Sequence, residues 1–118
     1  MLYTNLKHIE SKEQLRQVIA ENENLVIICG RMGAMSIPVY RIITELEGRF
    51  PQVKFFDMEY DNPESESICQ LSAEGGLRGI PIIVYYKAGQ LAQITAGMQS
   101  KDQLIAIIES NFNVLENA

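Results

Sequence analysis

Histidine occurs once in this sequence and cysteine twice, and that scarcity excludes whole classes of chemistry. A structural metal site needs a set of nitrogen and sulfur ligands, usually as closely spaced Cys or Cys/His pairs. His8, Cys29 and Cys69 cannot supply one, and no metal or cofactor is expected. Two separated cysteines also fall short of the disulfide framework that staples small secreted domains. Positive charge is in deficit, with ten Lys and Arg against fifteen Asp and Glu and a net charge of −5. Affinity for nucleic acid comes largely from clustered cations that displace counterions, so no nucleic-acid partner is expected. Long apolar runs are missing too. The longest, Leu25 to Cys29 and Ile80 to Tyr86, are far below the roughly 20 residues of a membrane helix. The first residues lack the apolar core of a signal peptide, and the resulting expectation is a cytoplasmic protein with no membrane partner.

What is present suits one folded domain spanning 1–118. The chain has 118 residues, 47% of them hydrophobic and 21% charged, which is enough apolar material for a core and too few residues for a two-domain enzyme. No repeat or low-complexity tract interrupts it, and only residues 113–118 read as an untethered, flexible end.

Hydrophobic periodicity gives the order of elements. A short strand near the start leads to Ser11 and Gln14, spaced as a capping box, and Leu15, Val18 and Ile19 form one helical face. Leu25 to Cys29 is apolar at every position, as in a strand covered on both faces, and Gly30 ends it. Ile42, Ile43, Leu46 and Phe50 recur at helical spacing until Pro51 stops the second helix. Val53, Phe55 and Phe56 mark another buried strand, with Asp57, Glu59 and Asp61 read as a solvated acidic stripe at its end. Glu64 to Ala73 suits a short helix with Ile68, Cys69 and Leu71 inward, broken by Gly75 and Gly76. Pro81 then opens the run Ile82 to Tyr86, a turn at Lys87 to Gln90 closes a hairpin, and Leu91 to Ala96 forms an edge strand. A second capping box, Ser100 with Gln103, starts a last helix bearing Leu104, Ile105, Ile107, Ile108 and Phe112. This order predicts an α/β fold: a central mixed sheet of four to five strands with helices on both faces.

From Asn5 to Phe112 the sequence resembles the thioredoxin family. The resemblance rests on Arg78-Gly79-Ile80-Pro81, similar to the family's cis-proline loop, and on Asp61-Asn62-Pro63, Lys87-Ala88-Gly89, Ala96-Gly97-Met98 and Ser100-Lys101 in the same order. It implies a thioredoxin-like fold and a role in thiol–disulfide chemistry and cell redox homeostasis. At the place of the family's Cys-Gly-Pro-Cys, however, stand Gly33-Ala34-Met35-Ser36. In such a pair one thiolate attacks a substrate disulfide and the second thiol resolves the mixed disulfide. Glycine has no side chain, and a serine alkoxide is far too basic to exchange with sulfur near neutral pH. By the same alignment the family's buried acid becomes Ile27 and its neighbouring lysine becomes Asp57, so the base beneath the nucleophile is also gone.

The resemblance implies a groove formed by Met32, Ala34, Met35, Tyr60, Ile80, Pro81, Ala96, Gly97 and Met98, which in the family holds an extended protein segment as an added strand. The reading of the residues is therefore an atypical, redox-inactive binding domain whose partners are protein or peptide segments. The alternative is a thiol–disulfide oxidoreductase working through Cys29 or Cys69, or one in which Ser36 replaces a cysteine. Three ordinary readings stand beside these. Cys29 suits a small core hydrophobe. Ser36 before Ile37-Pro38 suits a helix N-cap. Met32, Met35 and Met98 suit mutual packing, or an interface between copies of the chain, and His8 suits the surface.

Overall fold

The computed structural model describes residues 4–117. Strand β1 (Lys7–Ile9) leads to helix α1 (Lys12–Glu21), then β2 (Asn24–Gly30), α2 (Ile37–Arg49), β3 (Lys54–Glu59), a 3-10 turn (Pro63–Ser65) and α3 (Glu66–Glu74). The chain continues through β4 (Ile82–Lys87), β5 (Gln90–Ala96) and α4 (Lys101–Phe112). The strands form one mixed sheet in the order β1-β3-β2-β4-β5. β1 and β2 flank β3 in parallel, whereas β4 runs antiparallel to both β2 and β5.

The uniformly apolar β2 is central because both its faces are covered. Val26 and Ile28 point into a cluster with Val39, Tyr40, Ile43 and Leu46 of α2 and Leu104, Ile108 and Phe112 of α4. Leu25, Ile27 and Cys29 point the other way, against Leu15 and Val18 of α1 and Ile68 of α3. Residues 25–29 are all at zero exposure, and each large aliphatic side chain buried in this way contributes about 1.5–3 kcal/mol.

Helices begin where their caps were legible. Ser11 Oγ accepts from the Gln14 amide, and Ser100 with Gln103 makes the complete reciprocal box. The β4–β5 turn is tight, with Ala88 and Gly89 both at positive φ. In β5 one extra residue, Ala92, stands between the partners of Tyr85 and Tyr86, a bulge that breaks the strict alternation expected of this strand. The end read as untethered carries contacts to the body: the Asn117 amide donates to the Arg49 carbonyl at 2.9 Å, and Arg49 pairs with Glu116 at 3.1 Å. Ala118 lies outside the described residues.

Candidate functional site

The C-terminal end of β2 and the N-terminal end of α2 are joined by residues 31–36, and two bonds to the Gly33 carbonyl shape the connection. The Ser36 and Ile37 amides donate to it at 3.1 and 3.0 Å. Ser36 is fully buried. Its backbone is already helical, its side chain makes no capping bond, and its Oγ has no hydrogen-bond partner. The expected N-cap role is therefore not the one it plays: an N-cap needs extended backbone to swing its oxygen over the first amides. Instead the side chain packs inward. A Cβ built on Gly30 would lie 2.8 Å from Ser36 Oγ and 3.1 Å from Pro81 Cβ, so Gly30, Ser36 and Pro81 meet with no room for a further atom.

Pro81 follows a cis peptide bond from Ile80. Its loop is backed by Gly97, whose amide donates to the Pro81 carbonyl at 3.0 Å. Gly79 and Gly97 both have positive φ, and a Cβ on Gly79 would sit 3.8 Å from the Gly97 Cα, so the two turns stack backbone to backbone. Ile80 itself makes no hydrogen bond among the described residues. Of the residues read as groove, Met35 and Met98 are exposed, at 49% and 57%, while Met32 packs against the core beneath α2 and α4. Mutual packing of the three methionines thus does not describe Met35 and Met98. Ala34 is exposed as well, Ile80, Ala96, Gly97 and Tyr60 are half-buried, and Pro81 is buried.

A brace holds one wall. Arg31 makes a two-pronged contact with Asp61, Nε to Oδ2 at 3.1 Å and Nη2 to Oδ1 at 2.7 Å, and its guanidinium lies 5.1 Å from the Tyr60 ring centre. Planar stacking and a bidentate carboxylate suit arginine and not lysine. The Tyr60 amide donates to the Gly30 carbonyl at 2.8 Å, so the brace ties the ends of β2 and β3 together. Nothing in a single sequence signals this pairing across thirty positions.

Cys69 lines a surface cavity with Tyr60, Asp61 and Ser65, whereas Cys29 does not reach the surface. Cys29 is fully buried on the α1/α3 face and is flanked in the sheet by Met58 and Ile82. Burial, and then the neighbouring Cys69, push its thiol up to about 12, against the pull of a Ser65 hydrogen bond. Cys69 is half-buried on α3, 3.8 Å from Ser65 Oγ. Both cysteines are free.

Two assignments of charge change. Asp57 is not part of a solvated stripe but is fully buried on the α2/α4 side, where it accepts from Thr4 and pairs with His8 Nδ1 at 2.5 Å. Its partner His8 remains partly exposed, as expected of a surface residue, but its ring is committed to this carboxylate. Asp61 is exposed and held by Arg31. Nor does Asp57 stand beside Ile27. The register pairs Ile27 with Phe56 and Ile28 with Asp57, so Asp57 projects from the opposite face of the sheet. The position next to Ile27 is thus apolar, and the α1/α3 face holds no acid at that level.

Burial raises the Asp57 carboxyl above its ordinary value of 3.8, more than the Thr4 and His8 bonds lower it. A carboxyl raised in the folded state contributes stability that is complete below the unfolded value and is lost as pH rises through the folded one. Asp57→Asn removes that slope. The denaturant midpoint of the Asn variant is expected to gain on the parent as pH climbs from about 4; a gap that instead moves in the parent's favour over that range overturns the assignment.

No protein-family model matches this sequence, and no curated protein does. Solved structures do match. A mutant thioredoxin from Halobacterium salinarum NRC-1 superposes with a TM-score of 0.75 at 16% identity, covering 98% of this chain and 99% of its own. A yeast structure concerned with thiol resolution in mitochondrial 1-Cys peroxiredoxin via glutathione/thioredoxin systems gives 0.74 at 22% identity, covering 93% and 99%. The Malassezia sympodialis thioredoxin Mala s 13 gives 0.70 at 19%, covering 95% of each chain. Sheet order, helix placement and these superpositions agree: this chain has the thioredoxin-like fold.

Proposed function

We propose that this chain is a redox-inactive thioredoxin-like domain that binds extended protein segments along the groove beside Pro81. The observation that carries the reading is the composition of the joint between β2 and α2. Gly33 supplies no nucleophile, and Ser36 is a fully buried hydroxyl wedged between Gly30 and Pro81. Cys29 lies under the sheet with its thiol held in the neutral form. Disulfide exchange requires an accessible thiolate. Support for binding comes from the unpaired backbone of Ile80, which suits an added strand, and from the exposed Met35 and Met98, whose flexible side chains adapt to varied apolar partners.

The test is insulin reduction with excess dithiol. The expected rate equals that of the reductant alone, and turnover comparable to an active thioredoxin rejects the reading. Cys69 favours one competing reading, an oxidoreductase using an unusual thiol, because it is the more exposed of the two cysteines. Thiol titration of the native protein separates them. Under the binding reading neither cysteine labels fast, and a rapidly reacting Cys69 together with turnover supports the enzyme.

A further inference from the structure

The two edges of the sheet differ in how they are guarded. β1 is three residues long and carries Lys7 and His8, whereas β5 spans seven residues at the other edge. From Gln90 to Gln99 the chain has no charged residue, in a sequence that is 21% charged. Edge strands in monomeric proteins are ordinarily blunted by charge, proline or brevity. β5 has only the Ala92 bulge. Its backbone polarity follows from the ladder. Because the Gly97 amide donates to the Pro81 carbonyl, Thr95 and Gln93 belong to the set bonded to β4, and Ile94 and Ala96 present their amides and carbonyls outward.

We infer that β5 is a self-association edge, pairing antiparallel with β5 of a second copy of this chain. The argument for a copy, and not another partner, is one of charge and symmetry. In a two-fold antiparallel pair centred on Ile94, Ala92 of one copy faces Ala96 of the other, and Gln93 faces Thr95. A charge at the centre of this strand would face its own duplicate, and one elsewhere would be pressed against an uncharged residue of the other copy; both are destabilising. A chain of net charge −5 repels its copies over most of its surface, and this stretch is free of that cost. The exposed apolar residues agree. Among the described residues only four large hydrophobics are exposed, and Leu91 and Met98, at 40% and 57%, bracket β5. Antiparallel pairing brings Leu91 of each copy next to the Gly97-Met98 corner of the other, covering both. Since Met98 also belongs to the peptide groove, a paired copy and a bound segment compete for it.

Sedimentation equilibrium over a wide concentration range tests this. The expected result is a monomer–dimer equilibrium that Ala92→Lys weakens roughly tenfold, since the two-fold sets a lysine against Ala96 at both ends of the pair. Ile94→Pro removes the outward amide without touching the β4 ladder and is expected to abolish the dimer. Thermal unfolding of both variants verifies that they fold. A single species of monomer mass at every concentration overturns the proposal. So does a dimer that both folded variants leave unchanged, and a dimer lost in Met35→Lys but not in Ala92→Lys assigns the contact to the groove instead. None of these outcomes depends on whether the groove binds peptide.

Discussion

Gly33→Cys/Ser36→Cys is expected to yield a protein that reduces insulin disulfides at least about tenfold faster than the parent. The scaffold already provides part of what a thiol pair needs. Position 36 and Pro81 both border the space over Gly30, and the first turn of α2 is open at its amino end, because no side chain caps it. A partial positive charge at that end lowers the thiolate pKa. Each single replacement is expected to stay at background, because one thiol can form a mixed disulfide but has no neighbour to resolve it. The double variant should still run roughly 100-fold or more below a site with a general base, since Ile27 and its neighbour Phe56 cannot take a proton. Adding Ile27→Asp to the pair tests that second shortfall. Absence of any gain in a folded double variant would show that the geometry of this loop, and not merely its composition, forbids exchange.

Gly30→Ala is the second change with a large expected effect. The new methyl group would lie 2.8 Å from Ser36 Oγ, 3.1 Å from Pro81 Cβ and 3.2 Å from Ser36 Cβ; the hydroxyl can turn about χ1, but the two carbons are fixed to the backbone. Overpacking of this kind costs about 1–3 kcal/mol. For a domain of this size that corresponds to a fall in Tm of about 4 °C per kcal/mol. Ser36→Ala should be neutral or stabilising by about 1 kcal/mol, because it removes a buried hydroxyl that has no partner. The informative quantity is the coupling. With Ser36 trimmed, Gly30→Ala should lose part of its penalty, giving an interaction energy of about 0.5–3 kcal/mol in a double-mutant cycle. Recovery should be incomplete, since Pro81 does not move away. Strict additivity would mean that Ser36 is not the residue that fills this space.

The layers of this fold were legible because hydrophobic pattern and capping chemistry are local. Leu25 to Cys29 reads as a doubly covered strand with no knowledge of its neighbours, and Ser100 with Gln103 announces a helix from two residues. The Pro81 loop and the absent cysteines were legible for the same reason, being contiguous segments. What could not be read was set by contacts distant in sequence. Ser36 looked like a cap because caps are recognised by residue type, whereas its backbone angles and its confinement by Gly30 and Pro81 are tertiary facts. Asp57 looked solvated because an acidic residue at the end of a strand usually is. Its partners Thr4 and His8 arrive from 53 and 49 positions away. Register defeated the alignment argument as well. A one-residue offset on β3 moves a side chain through the sheet, and the sequence alone gives no means of choosing between Phe56 and Asp57 as the companion of Ile27.

That sidedness has an evolutionary corollary. The only fully buried carboxylate among the described residues and the two thiols occupy separate compartments, with the backbone of the sheet as a partition. Asp57 is the weakest of the influences named on Cys29. Substitutions around the thiols can therefore accumulate without retuning the Thr4-His8-Asp57 cluster, and the reverse holds equally. The two halves of this small protein are free to drift at their own pace, each constrained by its own helices and only loosely by what happens across the wall.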